Sequence, residues 1–386
     1  MNRIRVLQIL WNDDFGGAER HVSDLVLNLD RSVFDCEVCI LHHDGNRITK
    51  NLRENAIPIH CMSLNSGFNL FGPQRLIKFI RRQEYDIVHA HTYPLWIQHA
   101  IGIFTRCVNI VTFHGRDVVD ISTFRSIFMN RISRFATDGY ITPSAVHKGR
   151  IADLYHISPE KIHVMYHGVD FTRFHPLTSA VREEKRRELG LAEGDLAIGT
   201  IGRLTEQKNY PCFIRSALRI HEEMPNTIFF IVGYGELEDQ LREMVRKNRA
   251  EDYVIFLGRR TDVPDLLGAW DIFLFTSWVE SFGIVVLEAM ANELAVVVSD
   301  SSSLPEVVGD AGVLVRIDDD VSFAREVVGL LRDEDRRREM VIKAKERARN
   351  FFSMKNMINT VSEIYTTLLA RKRRECSAKA KRPKVI

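Results

Sequence analysis

The chain repeats one pattern in two series. RVLQIL (5–10), CEVCIL (36–41), DIVHAH (86–91) and VNIVTFH (108–114) are short apolar runs, and amphipathic helical stretches such as AERHVSDLVLNL (18–29) alternate with them. A strand that is apolar along its whole length must be covered on both faces, and strand–helix–strand alternation covers it by winding a parallel sheet. The rhythm fades after HGVDFTRFHP (167–176), where VREEKRRELGLAEGD (181–195) is charged and poor in β-formers. It then resumes in LAIGTIGRL, TIFFIVGYG, YVIFLG, DIFLFTS, AVVVSD and GVLV between residues 196 and 315. The expected fold is α/β, with two doubly wound parallel-sheet domains of the Rossmann-like kind facing across a cleft. We place them at residues 1–172 and 173–351. A closing helix over 352–370 packs back toward the first domain, and a basic tail over 371–386 is expected to be disordered. Ligands of such sheets sit beyond the carboxyl ends of the strands.

Those ends carry the informative residues. TSWVESFGIVVLEAMA (276–291) holds Glu280 and Glu288 on either side of a Phe282-Gly283 turn that opens an apolar helix. The helical part between them is only about 8 Å long at 1.5 Å per residue, so both carboxylates can touch one elongated ligand. The N–H groups and dipole at the helix start suit a phosphate between them. A diphosphate flanked by two hydroxyl-bearing sugars matches this arrangement; an ordinary strand-to-helix crossover with two solvated glutamates also does. GTIGRLTEQKN (199–209) adds Gly202-Arg203 at a strand end and Lys208 five residues on. An arginine fork and a lysine converging on a leaving diphosphate stabilise its charge without a metal.

The first half contributes DDFGGAER (13–20), with Gly16-Gly17 at a strand-to-helix turn, and TFHGRD (112–117), with His114 just past a strand. Glycines there permit close approach of a phosphate or sugar, and His114 can hydrogen-bond a sugar hydroxyl. No G-x-G-x-x-G follows the glycines, which disfavours a dinucleotide cofactor. His89, His91 and His114 together raise a zinc reading, but no carboxylate or cysteine stands at ligand spacing, and no metal is expected. The six cysteines include Cys36 and Cys39 in one strand, where positions three apart face opposite sides, so neither a redox pair nor a disulfide framework follows. FRSIFMNRISRFA (124–136) reads either as a membrane-surface helix or as a core helix with a basic face.

Charge excludes one function class. The net value is +2, so a nucleic-acid partner is not expected. Residues 51–150 nevertheless hold 12 basic against 6 acidic side chains, and residues 370–386 hold 8 against 1. Such a face and tail suit an anionic membrane surface. No run approaches 18 apolar residues, and the expected location is the cytoplasm, peripheral to the inner face of a membrane.

Taken in order, GGAER, TFHGRD, HGVDFTRFHP, GRLTEQKN, IVGYGE and ESFGIVVLEAMA resemble the retaining glycosyltransferases of family 4, which have the GT-B fold. The resemblance covers roughly residues 4–370. It implies a nucleotide-sugar donor in the second domain and a glycan or lipid-linked acceptor in the first. It implies diphosphate binding by Arg203 and Lys208, ribose binding by Glu288, and sugar binding by Glu280 with the backbone of Phe282 and Gly283. Gly17 would approach the phosphate and His114 would face the transferred sugar. Cofactors are not implied. Where relatives show A-x-G-x-P-V and G-G-x-P-E, this chain has ANELAV and SSLPE, with Glu293, Ala295, Ser302 and Ser303 at the departing positions. The serines are expected to donate hydrogen bonds near the sugar. A non-catalytic nucleotide-sugar binder and a nucleotide-sugar 2-epimerase are the competing readings.

Overall fold

The computed structural model describes residues 3–12, 17–42, 47–62, 72–91, 95–114 and 134–380. The chain divides into two compact units, Met1–Tyr166 with Lys355–Ile386, and His167–Met354. The division falls at Tyr166/His167 and not after residue 172.

The first unit carries strands β1 (Ile4–Asn12), β2 (Phe34–His42), β3 (Ile59–Cys61), β4 (Ile87–His91), β5 (Val108–Thr112), β6 (Gly139–Thr142) and β7 (Ile162–Val164). They form one parallel sheet in the order β3-β2-β1-β4-β5-β6-β7. The short strands β3, β6 and β7 have no apolar run long enough to stand out in the sequence. Alternation divides the central strands by face. Leu7, Ile9, Val88 and Ala90 join an apolar cluster with Leu76 and Ile80 of the helix Gly72–Gln83. Gln8, His89 and His91 occupy alternate positions, are equally buried, and need polar partners. Cys36 and Cys39 are buried free thiols in β2; burial pushes the Cys36 thiol up to about 12 and that of Cys39 higher still.

The second unit holds β8 (Leu196–Ile201), β9 (Thr227–Val232), β10 (Val254–Gly258), β11 (Ile272–Phe275), β12 (Ala295–Ser299) and β13 (Val313–Val315), in the parallel order β10-β9-β8-β11-β12-β13. Ile198, Phe229, Ile231, Leu274 and Val297 pack against Phe213 and Phe323 from flanking helices. Each such side chain contributes about 1.5–3 kcal/mol on burial.

Two expectations are corrected. The charged stretch read as a connector is a helix, Ser179–Glu188, belonging to the second unit. Arg182 and Arg186 reach Asp271 at 2.7 and 3.2 Å, and Lys185 reaches Asp262 at 3.0 Å, so its charges dock it. Residues 371–380 of the tail expected to be disordered continue the closing helix, Met354–Ala380, and residues 381–386 lie outside the described residues. Lys372 Nζ meets both oxygens of Asp138 at 2.8 Å, and Arg373 meets Asp86 at 3.0 Å. Those two aspartates already accept the backbone N–H groups of Asn109 and Arg5, which holds the carboxylates at the strand starts where the helix passes. The pairs occupy two of the basic residues available for an anionic surface.

Residues 124–133 of the basic amphipathic stretch lie outside the described residues, and 134–136 form a turn. Among the described residues, no helix is long and apolar enough to cross a membrane.

Candidate functional site

In the second unit, three loops leave the carboxyl ends of β8, β11 and β12, and hydroxyl groups stitch them together. Past β8 the chain runs through Gly202 and Arg203 to a single 3₁₀ turn, Glu206–Lys208. Asn209, at φ +48°, then turns it into the helix Tyr210–Glu223. From the loop after β11, Thr276 Oγ1 donates to the Asn209 carbonyl at 2.9 Å and Ser277 Oγ to the Gln207 carbonyl at 3.0 Å. Ser301, after β12, donates to the Ser277 carbonyl at 3.0 Å. Small polar residues at strand ends thus hold the backbone on which the charged side chains stand.

Two of those side chains, Lys208 and Glu280, meet. The Lys208 ammonium is ion-paired with the Glu280 carboxylate and lies 5.0 Å from the centre of the Phe275 ring. Both side chains are largely sheltered, at 21% and 11% exposure. Arg203 is exposed and makes no ion pair among the described residues. Gly283, at φ +91°, begins the helix Ile284–Ala291 with no side chain capping it, so the positive end of that helix faces the loop. The glycine is needed twice over: an added Cβ would be strained at this φ and would lie 2.7 Å from Leu304 Cδ2. Glu288 is buried on the same helix, at 4% exposure. Phe282 turns its ring into the core against His167 and Phe352, which leaves its backbone for the loop.

Ser302 and Ser303 reach the loop after β11. Their hydroxyls donate to the Glu280 backbone carbonyl at 2.7 and 2.9 Å, and Ser302 sits at φ +50°. They brace the turn that carries Glu280, because its carbonyl is the acceptor within their reach.

The sequence-derived residues of the first unit form a separate polar cluster. Gly16 lies outside the described residues; Gly17 begins the helix Gly17–Asn28, and among the described residues nothing lies within 4 Å of a Cβ added there. His114, just past β5, sits with His91 and with His21 of that helix. One ring nitrogen from each lies within 4.8 Å of the others, a set able to hold a metal ion. This differs from the sequence trio: His89 turns away to Tyr365 and Thr112, and His21 takes its place. His91 Nδ1 and His114 Nε2 are 2.9 Å apart, the separation of a hydrogen bond. Burial lowers the His21 pKa to about 4 and that of His89 well below its usual value. Sequence reasoning missed His21, Gln8 and Tyr365. For Gln8 the available signal was a polar residue inside an otherwise apolar strand; His21 and Tyr365 stand on helices, where a polar residue gives no such signal.

Two family descriptions match in tandem: "Glycosyltransferase Family 4" over residues 15–173 and "Glycosyl transferases group 1" over residues 181–347. The chain is a family 4 glycosyltransferase. This family 4 enzyme is 26% identical over 337 residues to N-acetyl-alpha-D-glucosaminyl L-malate synthase of Bacillus anthracis, covering 84% of this chain and 86% of that one. It is likewise 26% identical over 338 residues to UDP-Gal:alpha-D-GlcNAc-diphosphoundecaprenol alpha-1,3-galactosyltransferase of Escherichia coli, covering 83% and 86%. Among solved structures, Anabaena Alr3699/HepE in complex with UDP and glucose superposes with a TM-score of 0.82 at 19% identity, covering 95% of this chain and all of that one. At that identity the likeness shows the fold, two Rossmann-like GT-B domains, as the strand alternation predicts. The transferase class expected from the motifs is likewise that of the family.

Proposed function

We propose that the enzyme is a retaining glycosyltransferase that moves a hexose or N-acetylhexosamine from a UDP- or GDP-linked sugar to a glycan or lipid-linked acceptor. The observation that carries this reading is the Lys208–Glu280 pair in the second unit, with the uncapped helix start at Gly283 three residues past Glu280 and the exposed Arg203 five residues before Lys208. The arrangement suits a diphosphate with a sugar on either side. Glu288 takes the ribose hydroxyls, and Glu280 with the Phe282-Gly283 backbone takes the donor sugar; Gly16 and Gly17 approach the phosphate and His114 a hydroxyl of the transferred sugar. The names of the two curated relatives, which concern an N-acetylglucosaminyl product and a lipid-linked acceptor, support the substrate classes.

In the reaction the bond between the sugar's anomeric carbon and the diphosphate breaks, and the acceptor oxygen attacks from the same face. The acceptor's proton passes to the leaving phosphate oxygen. Positive charge builds on the ring as negative charge builds on the phosphate, and Arg203 and Lys208 stabilise the latter. Binding of the diphosphate competes with Glu280 for Lys208, which frees the carboxylate for sugar hydroxyls. Two cations and a helix dipole supply this stabilisation from the protein's own groups, so no metal or other cofactor is part of the proposal. We place the enzyme in the cytoplasm, peripheral to the membrane's inner face.

Thermal shift against UDP, GDP and ADP tests the donor. At 100 times Kd a bound nucleotide stabilises the protein by about 2.7 kcal/mol, and a shift is expected with UDP or GDP alone. A shift with ADP only would sink the donor assignment. Turnover is expected to be unchanged by excess EDTA; full loss restored by Mn²⁺ would overturn the metal-free reading.

A further inference from the structure

Behind His114 lies a set of polar side chains that apolar strands ordinarily exclude. Gln8, His89, His91, Thr112 and Tyr365 are each at most 2% exposed. Burying such groups is costly unless every one finds a partner, and the orientation of the Gln8 amide selects one of the two directions in which these bonds can run. The Gln8 amide nitrogen donates to the Tyr365 hydroxyl at 2.9 Å. Its amide oxygen, which only accepts, faces His91 Nε2 at 2.8 Å, so His91 carries a proton there. With its single proton on Nε2, the His91 ring presents Nδ1 as an acceptor, and His114 Nε2 stands 2.9 Å from it. Tyr365 completes the order: having accepted from Gln8, it spends its one proton on His89 Nδ1 at 2.6 Å, and His89 Nε2–H goes to Thr112 Oγ1 at 2.6 Å.

We propose that Gln8, oriented by Tyr365, and His91 are positioning residues that keep the His114 proton on Nε2 and leave Nδ1 as an acceptor for a hydroxyl of the transferred sugar. This rests on the reading of His114 as a sugar contact. It gives the closing helix, which carries Tyr365, a part in the site 251 positions earlier in the chain. The reverse proton order, with the Gln8 amide turned over, would make His114 Nδ1 a donor instead. A ring whose two nitrogens have assigned roles selects between sugar hydroxyls by direction, and the buried chain behind it maintains that assignment as solvent and ligand exchange in front.

Histidine ¹⁵N NMR on the full chain with UDP decides the matter, with the His114 signals assigned by their loss in His114→Ala. The Nε2–H tautomer is expected; a predominant Nδ1–H tautomer overturns the proposal. Gln8→Met is expected to mix the two tautomers and lower kcat by roughly tenfold, with the UDP-induced thermal shift unchanged. Tyr365→Phe, which removes the orienting hydroxyl without touching His91, is expected to mix them as well, and it serves where Gln8→Met does not fold. Wild-type tautomer and kcat in both variants would overturn the proposal. So would one equivalent of tightly bound zinc in the purified protein shifting the rings of His21, His91 and His114 together. If His114→Ala keeps wild-type kcat/KM, the sugar-contact reading fails; if it loses activity while the ring is found as Nδ1–H, only the positioning role fails.

Discussion

Arg203→Ala is expected to lower kcat by roughly 10²- to 10³-fold, the loss that follows removal of one preorganised donor from a developing oxyanion. The reason lies in how the two cations stand. Lys208 is held by Glu280 beneath the loop, whereas Arg203 is exposed and has no ion pair among the described residues to give up. Its guanidinium can therefore meet the diphosphate without first breaking a contact, and it offers two parallel N–H donors where the ammonium offers a point charge. The loss should fall mainly on kcat, because the charge is greatest when the sugar–phosphate bond is breaking. Steady-state kinetics with the donor identified by thermal shift make the test. An Arg203→Ala enzyme within threefold of wild type would remove Arg203 from the mechanism.

The second large effect is on stability. Gly233→Ala is expected to destabilise the protein by about 3 kcal/mol or more. Gly233 directly follows β9 at φ +139°, and a Cβ there would lie 1.8 Å from the Gly202 carbonyl oxygen. The Gly202 N–H is itself bonded to the Val232 carbonyl at 2.9 Å, so the two strand ends are tied and have no room to separate. Gly194→Ala is the control: its φ is +87° with nothing within 4 Å of an added Cβ, so only backbone strain of about 1–2 kcal/mol is expected. Urea denaturation compares them, and equal losses would mean that the approach of Gly233 to Gly202 contributes nothing. Any Gly233→Ala protein that folds should also have lost activity, since Gly202 leads directly into Arg203.

The parts of the proposed donor site are legible in the sequence because they are local. Arg203 and Lys208 lie within one loop, and Glu280, Gly283 and Glu288 lie within one loop and the helix it opens, so spacing along the chain approximates spacing in space. The serines at 302 and 303 show where this stops. Their type was readable, but their acceptor, the Glu280 carbonyl, was visible only once the loops after β11 and β12 were folded together. The charged stretch 181–195 was misleading for a similar reason. Its arginines and lysine suggest solvent until Asp262 and Asp271 are brought beside them.

The strand rhythm, the two-unit α/β class and the charged groups at the strand ends can be read from residue order, because periodicity and loop motifs depend on near neighbours. The tertiary structure alone decided what the buried polar groups meet. Gln8 and Tyr365 are 357 positions apart, His21 and not His89 joins His91 and His114, and the closing helix runs on past residue 370, where Lys372 and Arg373 meet Asp138 and Asp86. A polar atom shut away from water must take whichever partner the fold brings within about 3 Å, and separation along the chain does not reveal which one that will be.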